Sequence, residues 1–274
     1  KKFSEFALVR VYQVSTTQFS AIGFGWFYPD FFTLVGCYIF GLLIASFFYI
    51  KKSMIMIQEK TAHSIKNLAI QYKKFPLVNS SIVFLNTLSL EIPVFFLAKY
   101  FSMEMVGLYM LANRITVIPM SLFGTSVTKV YFQKATDTFN HKPEQLLNVY
   151  KKTVQRLAGI GLVPFLSIFL FAPFFMKIIF GNEWQFSGVI IQILAIGMFM
   201  QFTTSPISTT LTIMNKQEIA LYLTVFSLVV RFSTMFLFRH NIGQMLWALS
   251  ISTAIFYLFY NYFIMLTIKK SIKI

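Results

Sequence analysis

Apolar stretches of membrane-spanning length alternate with shorter polar gaps along the chain. A helix that crosses the hydrocarbon core of a bilayer needs roughly 20 mainly apolar residues. The pattern predicts an all-α fold, a polytopic transmembrane helical bundle with about eight spans, because a helix satisfies its own backbone hydrogen bonds in lipid. The predicted spans lie at about residues 5–25, 28–50, 76–99, 105–132, 153–173, 186–206, 218–238 and 244–268.

The basic residues fall mainly in every second gap between the predicted spans. The intervening gaps contain only Lys99, Lys177 and Arg239. An excess of Lys and Arg in loops marks the cytoplasmic side of a membrane protein. The distribution therefore predicts that both ends of this piece, and the gaps at 51–74 and 133–152, are cytoplasmic.

Composition agrees with a membrane protein and argues against a nucleic-acid-binding domain. The 274 residues are 57% hydrophobic and 12% charged, whereas soluble domains carry about 25% charged residues. The net charge of +15 is spread between spans and does not form one basic patch with interleaved aromatic residues. We therefore expect membrane lipids, and not nucleic acid, as partners.

Metal and cofactor chemistry is not predicted either. The chain has one cysteine, Cys37, and three histidines that lie far apart in the sequence. No disulfide framework and no zinc-ligand spacing follows from these residues. We expect no metal and no cofactor.

Several predicted spans carry polar residues at helical spacing, which places each set on one helix face. We expect these faces to turn away from lipid, either toward one another or toward water. Ser and Thr alone are also explained as hydrogen-bonding contacts between membrane helices. The sets are Arg10, Gln13, Thr17 and Ser20; Ser80, Thr87 and Glu91; Arg114, Ser121, Thr125 and Thr128; Thr224, Ser227, Arg231 and Thr234; and Ser250, Thr253, Tyr257 and Asn261.

Three of these residues are arginines within predicted spans, and they are the candidate binding residues. An arginine at the centre of a span costs at least about 2.5–3.5 kcal/mol on insertion scales, so it is usually paired, hydrated or functional. Arg114 and Arg231 lie well inside spans, and Glu91 is a candidate ion-pair partner of Arg114. Arg10 is near a predicted cytoplasmic end, from which its side chain can also reach the headgroups. Guanidinium groups bind phosphate oxygens in pairs, so these residues indicate an anionic, phosphate-bearing substrate.

A longer stretch, residues 91–135, resembles a known family. It has an acidic residue, an apolar run, the segment VGLYMLANRI at Val106–Ile115, and then Pro119. This arrangement is similar to the oligosaccharide flippases of bacterial polysaccharide biosynthesis, the O-antigen branch of the multidrug/oligosaccharidyl-lipid/polysaccharide exporter superfamily. The sequence FGNEW at 180–184 is similar to a periplasmic turn of that family, and Lys216 occupies the place of its short basic turn.

The resemblance implies a fold of 12–14 spans in two bundles. Residues 1–50 would then be the end of the first bundle, 51–75 a basic cytoplasmic linker, and 76–274 the second bundle. The 51–74 segment is expected to be either an amphipathic helix on the inner leaflet or a solvated loop. On this interpretation the piece is N-terminally incomplete and belongs to a multi-pass protein of the bacterial cytoplasmic membrane.

The resemblance also implies a mechanism and a substrate. Family members move an oligosaccharide linked to undecaprenyl diphosphate by alternating access, with a cationic cavity that holds the diphosphate. Arg114 lies within the matched motif, whereas Arg10 and Arg231 are proposed from their helix faces alone. Glu91 matches the acidic position, with a role in ion pairing or coupling. Other polysaccharide-assembly proteins are a further class of partner that the resemblance suggests.

Two other classes of function remain as alternatives. A cation-coupled multidrug exporter of the same superfamily would more naturally have several carboxylates within its spans, and Glu91 is the one in the middle of a predicted span. A membrane-embedded glycan-processing enzyme would need a carboxylate pair or a His/Asp arrangement. The nine acidic residues form no such pair, and the common hydrolase, metalloprotease and phosphate-loop motifs do not occur. We therefore expect a transporter without catalytic residues.

Overall fold

The computed structural model describes the backbone of residues 2–28, 30–57 and 74–272. Side chains are described from residue 9 to residue 271 of these ranges, except at 10, 31, 49, 51–57 and 74–79. The described residues are mainly helical and contain no strand. The α-helices are α1 (Lys2–Phe27), α2 (Phe31–Ile57), α3 (Lys74–Tyr100), α4 (Met103–His141), α5 (Leu146–Phe180), α6 (Gln185–Thr204), α7 (Thr210–Ile213), α8 (Gln217–Leu237) and α9 (Ile242–Ile272).

The helices confirm a polytopic membrane bundle. Among the described residues, six helical segments are long and apolar enough to cross a membrane. They contain α3, α4, α5, α6, α8 and α9 and correspond to the last six predicted spans. The first two predicted spans correspond to α1 and α2, and the described part of α2 includes a shorter apolar stretch, Phe32–Phe48.

The chain divides into two compact units, residues 1–71 and 72–274. In the first unit α1 packs against α2, and the polar face of α1 lies at their contact. A Cβ atom added at Gly41 would overlap Thr17 Oγ1 and would lie 3.2 Å from the carbonyl oxygen of Gln13. Gln13 is buried, and Thr17 Oγ1 donates a hydrogen bond to its carbonyl oxygen at 2.9 Å. The absence of a Cβ atom at Gly41 therefore allows α1 and α2 to approach each other closely.

The second unit is built around α6. This helix packs against α4, α5 and α9, while α8 packs against α3 and α9. Two clusters of buried apolar side chains form its core. One surrounds Tyr150, Phe202 and Ile264, and the other surrounds Leu97, Ile190 and Met245. Most other large apolar side chains of these helices are exposed, as expected for helices whose outer faces meet lipid.

Glycines of α6 allow its neighbours to approach closely. A Cβ added at Gly188 would overlap the Cα of Pro173 in α5, and one added at Gly197 would lie 2.8 Å from the carbonyl oxygen of Ser250 in α9. Small residues commonly permit such contacts between membrane helices. The sequence of α6 therefore determines the spacing of the helices on two of its sides.

Two breaks in the helices have local causes. α5 ends at Gly181, whose φ of +98° is readily adopted only by glycine, and a 3₁₀ turn at Asn182–Trp184 follows. α6 ends at a second 3₁₀ turn, Ser205–Ile207, which contains Pro206. A proline cannot donate the backbone hydrogen bond that would continue the helix.

The predicted basic linker lies mostly outside the described residues. α2 continues to Ile57 and α3 begins at Lys74. Residues 58–73, which the sequence pattern assigned to an amphipathic helix or a loop, are not among the described residues.

Candidate functional site

The polar stripe of α4 is exposed along most of its length. Arg114, Ser121 and Thr125 are all exposed. Ser121 Oγ donates a hydrogen bond to the carbonyl oxygen of Ile118 at 2.8 Å, so this hydroxyl satisfies its proton within its own helix. Within the described part of the chain, the Arg114 guanidinium makes no hydrogen bond and no ion pair. Its donors are therefore free to bind an anion.

The stripe continues into an open groove beside the break after α6. The groove has a volume of about 360 Å³ and is lined by Gly124, Thr125, Thr128 and Lys129 of α4 together with Ser205. Arg114 and Lys129 are 15 positions apart, which corresponds to roughly 22 Å along a helix. Arg114 and Lys129 thus lie at opposite ends of this stripe, well inside α4, with hydroxyl groups between them.

Arg231 has a different environment. Its side chain in α8 is only 6% exposed. Its Nη1 donates a long hydrogen bond of 3.4 Å to the carbonyl oxygen of Ser89 in α3. Arg231 is also close enough to Tyr109 and Tyr257 to interact with them electrostatically. This arginine therefore joins α8 to its neighbours and does not extend into an open cavity.

A small cavity lies beside the buried arginine. It has a volume of about 20 Å³ and is lined in part by Tyr109, Arg231, Ser250 and Thr253. Arg231 Nε and Ser89 Oγ are buried and have no hydrogen-bond partner among the described residues. A volume of this size accommodates about one water molecule, so this polar centre is too small to hold a phosphate or a sugar.

Glu91 and Arg114 are not paired. Glu91 is exposed on α3 and lies close enough to Tyr109 to interact with it electrostatically. The two side chains form no ion pair in the described structure. Arg10, the third predicted arginine, lies in α1, and its side chain is outside the described residues.

The polar stripe of α9 is buried and bonded to other helices. Ser250 Oγ donates to the carbonyl oxygen of Ile193 and accepts from the backbone N–H of Gly197 at 3.1 Å. Asn261 Nδ2 donates to Thr204 Oγ1 at 2.6 Å, and Asn261 Oδ1 accepts from the hydroxyl of Tyr150. The stripe of α9 therefore joins it to α5 and α6.

Sequence reasoning missed several polar residues that the structure places beside the predicted ones. Ser89 accepts from Arg231 but is offset from the stripe of α3, and Tyr109 falls within an apolar run. Tyr131, whose hydroxyl lies 2.6 Å from Thr210 Oγ1, was likewise not singled out. No spacing within a single helix indicates such pairs, because each joins residues far apart in the chain.

Comparison with known proteins identifies the family to which the chain belongs. The six long apolar segments and the scarcity of charge within them define a multi-pass membrane protein. Residues 1–189 match the family described as polysaccharide biosynthesis protein. The chain belongs to this family.

One relative extends the comparison. Over 136 residues the chain is 25% identical to an uncharacterized membrane protein in the cps region of Klebsiella pneumoniae. The match covers 50% of this chain and 28% of the relative, so the chain spans well under two thirds of that protein's length. No solved structure matches the chain.

Proposed function

We propose that this chain is part of a flippase that moves a polyprenyl-diphosphate-linked oligosaccharide across the bacterial cytoplasmic membrane. Its membership of the polysaccharide biosynthesis family and its similarity to a membrane protein in a cps region support a role in surface polysaccharide synthesis. Members of such membrane protein families are usually transporters and not enzymes. The proposal assigns no catalytic residue to this chain.

The exposed face of α4 is the observation that carries the proposal. Arg114 has an exposed guanidinium on a membrane-spanning helix, and the face continues through hydroxyl groups to the groove at Lys129. A guanidinium matches the paired oxygens of a diphosphate, and hydroxyl groups can exchange hydrogen bonds with a sugar. A cation that faced lipid without a partner would be costly, so we assign this face to a hydrated path for the substrate.

Orientation follows from the basic gaps. We propose that both ends of this piece, and the turn between α4 and α5, are cytoplasmic, so that Lys129 lies toward the side where the substrate is made. The diphosphate and sugar would move along the path while the polyprenyl chain stays in lipid. Reporter fusions after residue 140 should give a cytoplasmic signal, and fusions near residue 182 a periplasmic one. The reverse pattern would reject this orientation.

The decisive experiment compares two arginine substitutions in the protein expressed in a bacterium that depends on it for surface polysaccharide. Arg114→Ala should reduce transport about 10- to 100-fold, because hydrogen bonds to charged groups contribute about 1.5–3 kcal/mol. Arg239→Ala is the matched control, since Arg239 lies beyond α8, where its Nη1 donates to the carbonyl oxygen of Phe236 at 3.2 Å and its Cζ is 4.2 Å from the ring centroid of that residue. Surface polysaccharide and the accumulation of lipid-linked precursor are the readouts, and both variants should insert at normal levels.

The same variants tested in vesicles separate transport from downstream steps. Arg114→Ala should slow translocation of a fluorescent lipid-linked oligosaccharide, and Arg114→Lys should restore part of the rate because it retains the charge. Equal rates for wild type and Arg114→Ala would reject Arg114 as a substrate-binding residue.

Glu91 supports a second candidate function, a cation-coupled multidrug exporter. It is an exposed carboxylate in the middle of a membrane-spanning segment and has no ion-pair partner among the described residues. In this case Glu91→Gln would abolish efflux of a cationic dye, and Arg114→Ala would leave it unchanged. This candidate would be excluded if the wild type showed no dye efflux and Arg114→Ala lost oligosaccharide transport.

A further inference from the structure

A basic cleft between α4 and α5 is separate from the Arg114 face. The cleft has a volume of about 590 Å³ and lies where the C-terminal part of α4 meets the N-terminal part of α5. Lys134 is 20 positions beyond Arg114, or about 30 Å along the helix. The geometry of this cleft points to a binding site for an anionic glycerophospholipid of the membrane leaflet at the basic end of the bundle.

The lining of the cleft is divided into a cationic zone and an apolar zone. Lys134, Lys152 and Arg156 provide three exposed cations, and Lys152 and Arg156 are one helical turn apart on α5. Four positions further along the same face is Ile160, which is 48% exposed, and Val130 of α4, which is 68% exposed, also lines the cleft. The cleft therefore changes from charged to apolar along the direction in which a lipid changes from headgroup to chain.

The charge of the cleft is not balanced by the protein. No acidic residue is among those that line it, and none of its three cations forms an ion pair with a described carboxylate. The hydroxyl protons of Thr138 and Thr153 are donated to their own helices, to Lys134 and Val149 carbonyl oxygens, each at 2.8 Å. Lys134, Lys152 and Arg156 remain available as N–H donors, which suit a phosphate.

A lipid fits this cleft better than a soluble phosphate does. Both walls belong to segments that are long and apolar enough to cross a membrane, Met103–His141 and Pro143–Phe180, and the exposed apolar side chains of the cleft suit an acyl chain. Basic pockets between membrane helices bind anionic lipid headgroups. The volume is sufficient for a headgroup and the first part of one acyl chain. A free phosphate would leave the apolar zone unused.

The experiment measures lipid binding to the purified protein by native mass spectrometry, with phosphatidylglycerol and phosphatidylethanolamine as probes. The wild type should prefer the anionic lipid. The double variant Lys152→Ala/Arg156→Ala should weaken phosphatidylglycerol binding about thirtyfold, because each basic residue near the headgroup contributes about a factor of five. The control variant Lys142→Ala/Lys151→Ala removes the same charge outside the cleft and should change binding less than about twofold.

A third variant tests the apolar zone. Ile160→Trp should fill it and weaken phosphatidylglycerol binding while leaving the three cations in place. Equal losses in the two double variants would show that only net charge matters and would overturn the site. Binding of polyprenyl diphosphate in place of phosphatidylglycerol, or of inorganic phosphate alone, would also overturn it. Because Arg114 is not part of the cleft, none of these results depends on the transport proposal.

Discussion

The polar stripe of α4 and the polar stripes of α8 and α9 are alike in the sequence but lie in opposite environments. Each has hydroxyl residues three or four positions apart, and the α4 and α8 stripes each include one arginine. In the structure Arg114 is exposed and Arg231 is 6% exposed. A polar face of a membrane helix can therefore contact other helices or a hydrated space. The packing of the neighbouring helices determines which of the two environments it has.

The difference has a physical cause in α6. Its neighbour α9 approaches α6 closely at Gly197, which places Ser250 against the backbone of α6. The stripe of α4 remains exposed at Arg114, Ser121 and Thr125. A buried hydroxyl must find a hydrogen bond within the protein, whereas an exposed one remains available to a ligand.

The largest expected effect is a difference in the free energy of unfolding between variants of Arg231 and variants of Arg114. Arg231→Ala should lower the free energy of unfolding by about 2–4 kcal/mol because it leaves a cavity in a packed site. Arg231→Met should cost much less, since an apolar side chain of similar size can replace a buried charge. Arg114→Ala should change stability by less than about 0.5 kcal/mol. Denaturant unfolding in detergent measures all three, and equal losses at both arginines would contradict the contrast.

A pair of glycines gives the next largest effect. Gly197→Ala should destabilise the protein by about 1–3 kcal/mol through overpacking, because its Cβ would lie 2.8 Å from the carbonyl oxygen of Ser250. Gly124→Ala, at a buried position of α4 beside the stripe, has its closest contact at 3.7 Å and should be neutral or slightly stabilising. The measurement is the melting temperature of each variant relative to wild type. A loss at Gly124 as large as that at Gly197 would mean that the α4 face is packed.

Cysteine labelling tests whether the exposed stripe meets water. With the buried native thiol removed by Cys37→Ala, Thr125→Cys should react with a charged maleimide at least about tenfold faster than Thr253→Cys. A thiol in apolar surroundings is poorly ionised and inert, and Thr253 is buried while Thr125 is exposed. If Thr125→Cys reacted only with a lipid-soluble maleimide, the face would meet lipid and the hydrated path would be rejected.

The smallest expected effect is the loss of stability on removal of the hydrogen bonds of one side chain. Asn261→Leu removes the contacts to Tyr150 and Thr204 and should cost about 0.6–1.7 kcal/mol, the range measured for polar contacts between membrane helices. Ser121→Ala on the exposed stripe removes only a bond within its own helix and should cost less than about 0.5 kcal/mol. Unfolding curves of both variants and the wild type measure these losses, and a loss at Ser121→Ala as large as that at Asn261→Leu would contradict the prediction.

Much of the fold could be predicted from the chain because span length and apolar composition are local properties. α8 at Gln217–Leu237 is within one residue of its predicted bounds at both ends. The α4 and α5 helices extend well beyond theirs, because polar residues such as Lys134 and Tyr150 continue a helix after it leaves the apolar region.

The candidate site was predicted only in part. The spacing placed Arg114 with Thr125 and Thr128 on one face of α4, and it placed Arg231 with Ser227 on one face of α8. The spacing did not indicate which of the two arginines is exposed and which is buried. The environment of Arg231 depends on Ser89 of another helix, which is 142 positions away from Arg231 in the chain.

The order of residues along the chain is sufficient to predict a membrane protein of long helices, since every such helix must satisfy its backbone and offer apolar side chains to lipid within its own segment. It is also sufficient to predict which polar residues share a face, because helical periodicity is a property of neighbouring residues. The folded structure was needed to show that the face of Arg231 is closed by other helices and that the face of Arg114 is open. Burial is set by the packing of distant segments, and the spacing of residues along one helix carries no record of it.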